Sequence, residues 1–279
     1  MSALRQTASV LLLVLAAVVG ASWLPGTWLQ QHVVERAGFL EIAEPMGEDA
    51  STQHALTDAA VDELLSSDVI PSSVRGTVAP YAKEQAASFT TTSAYQEMWD
   101  DSMDSVHEGL FASGDSPIEV DLSPAVDSLM DPIEEKLPFG ITLPRPDHPT
   151  VTLTTIPDLP ALRAAAQVLP YVSWALPVMI VLMVLALIVA DRRRAALLGA
   201  GIATLVVGAI GLLLAAGIGA LVPASVDGAG FLGPIVQGFE ARFSADIAPR
   251  ATVMTGVGAG IIVVGAVLLA VVRRPARRR

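Results

Sequence analysis

The fold is decided within residues 168–222, which read VLPYVSWALPVMIVLMVLALIVADRRRAALLGAGIATLVVGAIGLLLAAGIGALV. This stretch contains two uncharged apolar runs, at 168–190 and 195–222, separated only by the sequence DRRR at 191–194. A helix needs about 20 apolar residues to cross the roughly 30 Å hydrocarbon core of a bilayer. Both runs are long enough, so the stretch predicts two consecutive transmembrane helices joined by a short basic loop.

Two more apolar runs, at 8–24 and 251–272, have the same character, and none of the four contains Asp, Glu, Lys, Arg or His. The composition agrees with this pattern, because 52% of the residues are hydrophobic and only 16% are charged. A typical soluble domain has about 25% charged residues, and the mean hydropathy here is +0.56. The sequence therefore predicts an α-helical polytopic membrane protein with four transmembrane helices and a mostly helical extracytoplasmic domain.

Arginines indicate which segments face the cytoplasm. They are concentrated in the loop 191–194 and in the C-terminal tail 273–279, and the positive-inside rule assigns both to the cytoplasm of a multi-pass plasma-membrane protein. Alternation of the spans then makes both termini cytoplasmic and the large domain extracytoplasmic. Aromatic rings settle at membrane interfaces, and four fall near the predicted outer ends of the first two spans: Trp23, Trp28, Tyr171 and Trp174.

The predicted organisation has eight segments. They are the N-terminal transmembrane helix 1–28, the acidic domain 29–167, helix 168–190, the cytoplasmic loop 191–194, helix 195–222, the extracytoplasmic loop 223–250 with an amphipathic helix, helix 251–272 and the basic tail 273–279. An alternative concerns the first segment, because Arg5, an apolar run and Val19-Gly20-Ala21 resemble a cleavable signal peptide. Cleavage would leave three spans and would not change the side of any later segment.

The large domain is strongly acidic. Residues 30–167 contain 24 acidic and six basic side chains, whereas the whole chain has a net charge of −11. Such a domain repels nucleic acid and attracts cations or a basic partner, although the same charge also serves solubility alone. The chain has no cysteine, which excludes disulfides and thiolate metal sites.

Periodicity predicts the elements of this domain. We expect a short helix and a loop in 30–53, helices over 55–65 and 74–88, a strand at 118–122 paired with another at 151–156, a helix over 123–137, a proline-rich loop at 137–149, and a helix from Asp158 into the second span, kinked by Pro170 and Pro177. The clearest helix begins at Ser93, which has capping-box spacing to Gln96. Its apolar face is Tyr95, Met98, Trp99, Met103, Val106, Leu110 and Phe111.

The amphipathic helix predicted in the loop 223–250 also has an apolar face. This face can lie on the membrane surface or dock under the extracytoplasmic domain.

One cluster has the residue types of a metal site. Asp100, Asp104, His107 and Glu108 lie on roughly one face of the helix that begins at Ser93. Carboxylates suit Ca²⁺ or Mg²⁺, and an imidazole adds a transition-metal ligand. A single straight helix supplies at most two or three ligands, so a solvated acidic face explains the same pattern. We therefore predict no metal site and keep these four residues as weak candidates.

Other chemistry is sparse. The chain has no GxSxG, HExxH or GxxxxGK motif, and we predict no catalytic residue and no cofactor. Ion pathways usually place ionisable residues within the bilayer, whereas these spans have none.

Glycines are frequent in the last two spans, including a GxxxG spacing from Gly256 to Gly260, which serves either packing within the chain or self-association.

Several motifs resemble those of uncharacterised actinobacterial integral membrane proteins. They are YQEMW at 95–99 continuing to HEGL at 107–110, VDL at 120–122, WALP at 174–177 and RRRAALL at 192–198. The resemblance covers about residue 56 to the C-terminus, although this chain has a shorter outer domain than many of those proteins. It implies one N-terminal span, an extracytoplasmic domain and three C-terminal spans in the cell envelope, and it implies no chemistry.

These observations favour a non-enzymatic cell-envelope protein whose outer domain binds, scaffolds or senses, for instance as an accessory subunit of a membrane complex. Its expected partners are the lipid bilayer and a protein or a second copy bound through the glycine-rich spans, and not nucleic acid. One alternative is a channel or transporter component acting as an oligomer. The other is a metal-dependent enzyme on the outer face.

Overall fold

The computed structural model describes residues 2–50, 88–121, 150–221 and 232–272, together with 52–54, 57, 58, 61, 76, 79, 80, 84 and 123. The chain divides into two compact units. The membrane unit comprises Met1–Gln31, Ala166–Leu221 and Glu240–Arg279, and the acidic unit comprises His32–Ala165 and Val222–Phe239.

The described elements are mostly helical. In chain order the helices are α1 (Ser2–Leu29), α2 (Arg36–Ala43), α3 (Ser93–Phe111), α4 (Pro160–Val168), α5 (Ala175–Val189), α6 (Arg193–Gly217) and α7 (Leu232–Val272). Strands β1 (Ser116–Asp121) and β2 (Thr150–Ile156) lie between α3 and α4. A π-helical turn follows α1 at Gln30–Val34, and 3₁₀ turns occupy Glu44–Glu48, Leu169–Trp174 and Ile218–Leu221.

Within the described part of the chain, four helical segments are long and apolar enough to cross a membrane: Ala3–Val34, Pro160–Val189, Arg193–Ala220 and Gly233–Val271. Each coincides with one of the apolar runs in the sequence. The predicted fold class, an α-helical polytopic membrane protein with a small β-ribbon, is therefore confirmed.

The ends of the spans differ from the predicted ones. The amphipathic helix expected within 223–250 and the span expected at 251–272 form a single helix of 41 residues, α7, with Pro249 inside it. A proline removes one backbone hydrogen bond but does not have to end a helix that is otherwise well packed.

Before the second span, the predicted continuous helix is replaced at Leu169–Trp174 by a 3₁₀ turn that contains Pro170. Pro177 lies in the first turn of α5, where its missing N–H has no helical partner to lose.

Close packing in the membrane unit depends on glycine at particular positions. A Cβ on Gly208 would lie 2.5 Å from the backbone nitrogen of Thr255, and a Cβ on Gly258 would lie 2.4 Å from that of Leu205. Helices α6 and α7 therefore approach so closely that only glycine fits at these positions, which is the packing expected of small residues in membranes. Buried hydroxyls bond to backbone carbonyls, as Ser9 does to Ala186 at 3.0 Å.

The core of the acidic unit is built on α3. Its buried side chains follow the predicted apolar face and include Tyr95, Met98, Trp99, Met103 and Val106. The helix begins at Ser93 as predicted. The capping residue is Thr92 and not Ser93, because the hydroxyl of Thr92 accepts the hydrogen bond from the backbone nitrogen of Tyr95 at 3.3 Å.

The predicted β-ribbon is also confirmed. Strands β1 and β2 are antiparallel, with Ser116 opposite Ile156 and Asp121 opposite Thr150, and a register shift follows Ile118. Ile118 and Ile156 are buried against α3 at Gly109, where a Cβ would lie 2.9 Å from the Cδ1 atom of Ile118.

The first residues of α7 pack within the acidic unit. The ring of Phe239 stacks on that of Phe39 in α2, with centroids 5.0 Å apart and an angle of 28° between the planes. Gly238 lies against the side chain of Met46. Of the two positions considered for this amphipathic segment, these contacts correspond to docking.

Several predicted elements lie wholly or largely outside the described residues. They are the helices at 55–65, 74–88 and 123–137, the proline-rich loop at 137–149, the start of the loop 223–250 and the basic tail 273–279. The described positions 57, 58 and 61 of the first of these helices, and 76, 79, 80, 84 and 88 of the second, are helical.

Candidate functional site

The four weak metal candidates on α3 point to different surroundings. Asp104 accepts a hydrogen bond from the guanidinium of Arg36, and this bond raises the pKa of Arg36. His107 is half-buried, and its Nε2 atom lies 3.2 Å from the carbonyl oxygen of Val34. Because a carbonyl only accepts, the imidazole donates this bond.

The imidazole of His107 also has two aromatic neighbours. Its centroid lies 5.2 Å from that of Phe39 and 5.2 Å from that of Phe111. Asp100 and Glu108 remain exposed. No group of three or more His, Asp or Glu side chains within the described part of the chain is arranged to hold a metal ion. The imidazole packs near two rings and donates to a backbone carbonyl, as a structural histidine does.

A different site lies beside the first half of α3. It is a cavity of about 140 Å³, open to solvent, at the junction of the 3₁₀ turn Glu44–Glu48 with α3. Its walls are formed by Glu44, Gly47, Glu48, Gln53, Thr90, Tyr95, Gln96, Trp99 and Asp100. We call it the acidic cavity. Of the sequence candidates, only Asp100 belongs to it.

Local sequence explains why the 3₁₀ turn lies here. Helix α2 buries Phe39, Ile42 and Ala43, and Pro45 in the first turn of the following segment favours the change from α-helix to 3₁₀. Gly47 then lies directly on the indole of Trp99, where a Cβ would be 2.8 Å from the Cδ1 atom. The Gln53 amide donates to the carbonyl oxygen of Gly47 at 2.9 Å and fixes the turn.

The acidic cavity combines an aromatic floor with a charged rim. Tyr95 and Trp99 are each only 2% exposed. Glu44, Glu48 and Asp100 are solvent-exposed, and among the described residues none of these three carboxylates forms an ion pair. The negative charge at the rim is therefore not neutralised by this part of the protein, and it raises the local concentration of cations.

Tyr95 contributes a polar atom that has no partner among the described residues. Its hydroxyl is buried and makes no hydrogen bond with any described residue. Buried polar groups normally have a partner, and leaving one without costs free energy. Burial also raises the pKa of Tyr95 to about 12. The phenol is therefore neutral at physiological pH and keeps both a donor and an acceptor.

Sequence reasoning missed most of this site. The N-terminal wall, Glu44 to Gln53, was interpreted only as a polar stretch with a short helix and a loop. The signal that could have marked it is the density of carboxylates in EIAEPMGED at 41–49, which surrounds Pro45 and Gly47. The packing of this wall against α3, about 50 residues later in the chain, cannot be recognised from the local sequence.

Comparisons with known proteins add no assignment: no family model, no curated protein and no solved structure matches the chain. The site is therefore interpreted from its own geometry.

Proposed function

We propose that this is a non-enzymatic membrane protein of the cell envelope whose acidic unit lies outside the cytoplasm and binds a cationic ligand or partner. The observation that carries the proposal is the acidic cavity: a solvent-open space on a rigid aromatic floor, rimmed by carboxylates that have no ion-pair partner in the described residues. Binding sites typically combine such a preformed concave surface with a few polar groups. The motifs similar to those of uncharacterised actinobacterial membrane proteins support the same location.

A contact in the membrane unit supports the proposed sidedness. The Arg5 guanidinium lies 3.1 Å from the carboxylate of Asp191 and donates to the carbonyl oxygen of Val189 at 3.2 Å. This contact supports a common face of the membrane for the N-terminal end of α1 and the arginine-rich loop. The positive-inside rule makes that face cytoplasmic.

The absence of cysteine makes the sidedness directly testable. Single cysteines introduced as Asp101→Cys on α3 and Arg194→Cys in the first turn of α6 are both at exposed positions. A membrane-impermeant maleimide added to intact cells should label the first and should label the second only after permeabilisation. Labelling in the reverse order would overturn the proposed location.

Binding is tested by a pair of photo-crosslinkable residues in the intact chain. Gln96 lines the acidic cavity, whereas Glu97, its neighbour on α3, is exposed outside it. Crosslinking in the native membrane should give an adduct from position 96 that is absent from position 97. Equal background from both positions would count against a binding role for this unit.

The glycine pattern favours a second candidate, an oligomeric channel or transporter component. A Cβ added to Gly256 or Gly260 meets no described residue within 4 Å, so this GxxxG face of α7 is not used for packing against the described part of the chain, unlike Gly258 between them. Gly256→Leu with Gly260→Leu should reduce oligomer formation in mild detergent, whereas Val257→Leu at a neighbouring exposed position should not. A monomeric wild-type protein with no solute flux in vesicles would eliminate this candidate.

A further inference from the structure

We infer that the loop between the second and third spans binds the phosphate group of an anionic phospholipid. Two features meet in this loop: the arginine run Arg192–Arg194, which has no counter-ion in the described part of the chain, and the first turn of α6, which offers hydrogen-bond donors without an acceptor. The inference concerns the membrane unit and is independent of any ligand of the acidic unit.

The charge of the arginine run is not balanced by the protein. Arg192, Arg193 and Arg194 are all exposed, and none of them forms an ion pair with a described residue. The carboxylate next to them in the sequence, that of Asp191, is paired with Arg5, whose Nη1 atom lies 3.1 Å away. Three adjacent positive charges therefore repel one another unless an anion from outside the chain reduces their repulsion.

Arg5 also occupies an acceptor on the neighbouring helix. Its Nε atom donates to the carbonyl oxygen of Val189 at 3.2 Å, at the last residue of α5. A cation is favourable at this end of a helix, where the carbonyl groups have no partner within the helix. Arg5 therefore engages both the carboxylate of Asp191 and this carbonyl, so neither competes with an external anion for the arginine run.

The first turn of α6 adds backbone donors to the same place. Arg192 is the N-cap and makes no side-chain capping bond, because a guanidinium only donates hydrogen bonds. The backbone nitrogens of Arg193 and Arg194 donate to no described residue. Acidic side chains are normally favoured in a first turn, and α6 has none there. Backbone N–H groups and guanidinium groups thus offer donors for one shared anion.

The position of the loop identifies the source of that anion. Because Pro160–Val189 and Arg193–Ala220 are both long and apolar enough to span, the loop between them lies at the level of the lipid headgroups. The guanidinium group binds phosphate through two parallel hydrogen bonds, and basic clusters beside spans attract anionic lipids. A zwitterionic lipid is a poorer ligand, since its own ammonium group opposes the charge of its phosphate.

The test uses the full chain in detergent micelles and native mass spectrometry, which counts the lipids that remain on the intact protein. The probes are phosphatidylglycerol, phosphatidylcholine with the same acyl chains, and glycerol 3-phosphate as a soluble phosphate without acyl chains. The wild type should retain phosphatidylglycerol in preference to phosphatidylcholine. Glycerol 3-phosphate at an equal concentration should not displace the lipid, because a soluble phosphate is not held at the membrane surface.

Two variants separate this site from a general effect of charge. Arg192→Lys with Arg193→Lys and Arg194→Lys keeps every charge, and with it the positive-inside signal, but removes the planar guanidinium groups. It should weaken the retention of phosphatidylglycerol by about tenfold. Arg192→Ser supplies an N-cap hydroxyl for the backbone donors, so it should weaken retention without lowering the thermal unfolding temperature of the lipid-free protein. Arg250→Lys, at an exposed position inside α7, is the control and should change neither quantity.

The possible results are distinct. Equal retention of the two lipids by the wild type, retention by the lysine variant equal to that of the wild type, or displacement by an equal concentration of glycerol 3-phosphate overturns the inference. If Arg192→Ser lowers the unfolding temperature, the lysine variant carries the test. If the maleimide labelling is reversed while the preference for phosphatidylglycerol persists, the proposed location of the acidic unit fails and this inference stands.

Discussion

The indole Nε1 atom of Trp99 donates a hydrogen bond to the carbonyl oxygen of Ala43, 3.0 Å away and 56 residues earlier in the chain. Ala43 is the last residue of α2 and the N-cap of the 3₁₀ turn Glu44–Glu48 that follows. The indole therefore fixes the junction between α2 and the 3₁₀ turn against α3. The floor of the acidic cavity and its N-terminal wall are held together by this contact.

We predict that Trp99→Phe destabilises the protein by about 1–3 kcal/mol, because it removes the hydrogen bond from the buried indole to Ala43 and leaves unfilled space where the larger ring was packed. The thermal unfolding temperature of the purified protein in detergent should fall. Trp174→Phe is the matched control, since the side chain of Trp174 is 67% exposed. An equal effect of the two substitutions would contradict the role assigned to the indole.

Gly109 sets the distance between α3 and the β-ribbon. Gly109→Ala would bring a methyl group to 2.9 Å from the Cδ1 atom of Ile118 and 3.2 Å from that of Ile156. Both isoleucines are buried, so the substitution should cost about 1–3 kcal/mol of stability through overpacking. Gly76→Ala is the control, because Gly76 is helical and exposed and its Cβ would meet none of the described residues within 4 Å. Thermal unfolding should show a clear decrease for Gly109→Ala and none for the control.

The glycines of the membrane unit are not equivalent. Gly208→Ala would place its Cβ 2.5 Å from a backbone atom of Thr255, and a backbone cannot move aside as a flexible side chain can. We expect α6 and α7 to separate. In size-exclusion chromatography of heated samples in detergent, the variant should lose its single, symmetric peak at a lower temperature than the wild type. Gly256→Ala should leave this temperature unchanged. A similar loss for both variants would mean that the interface between α6 and α7 differs from the one described.

Elements governed by local patterns could be predicted from the sequence. The four spans follow from uncharged apolar runs, and β1 and β2 follow from alternation at 118–122 and 151–156. The residue that caps α3 was harder to predict, because Thr92 and Ser93 are both common N-cap residues. The backbone geometry places Thr92 at the N-cap. The continuity of α7 through Pro249 was missed, since a proline after a polar stretch usually marks a helix boundary.

The candidate site depended on contacts that no local pattern encodes. The helical spacing that grouped Asp104 and His107 with Asp100 is correct, but Arg36 and Val34 bind the first two and separate them from any shared ligand. Only the position of the N-terminal wall beside α3 makes Asp100 part of a cavity. Such long-range pairing is determined by the packing of Trp99 against Gly47, which involves residues that are unremarkable in the sequence.

The last prediction concerns acid stability, and it depends on the connection between α3 and α4. The carboxylate of Asp158 accepts hydrogen bonds from the guanidinium of Arg163 at 2.5 Å and from the backbone nitrogen of Gly114 at 3.2 Å. Arg163 also donates to the carbonyl oxygen of Ala112 at 2.6 Å. The hydrogen bond from Arg163 is the main cause that lowers the pKa of Asp158 below its ordinary value of 3.8.

The direction of the pH dependence follows from this pKa. A carboxyl group with a lower pKa in the folded state binds protons more readily in the unfolded state as the pH falls. Its stabilising contribution is therefore present above pH 3.8 and is lost as the pH falls through the lower pKa of the folded protein. We expect the wild type to unfold at a higher temperature than Asp158→Asn near neutral pH, and this difference should diminish below about pH 4. Asp101→Asn, at an exposed position on α3 without these bonds, should show no such convergence. A difference for Asp158→Asn that stays constant down to the lowest pH would mean that the ion pair with Arg163 does not stabilise the connection.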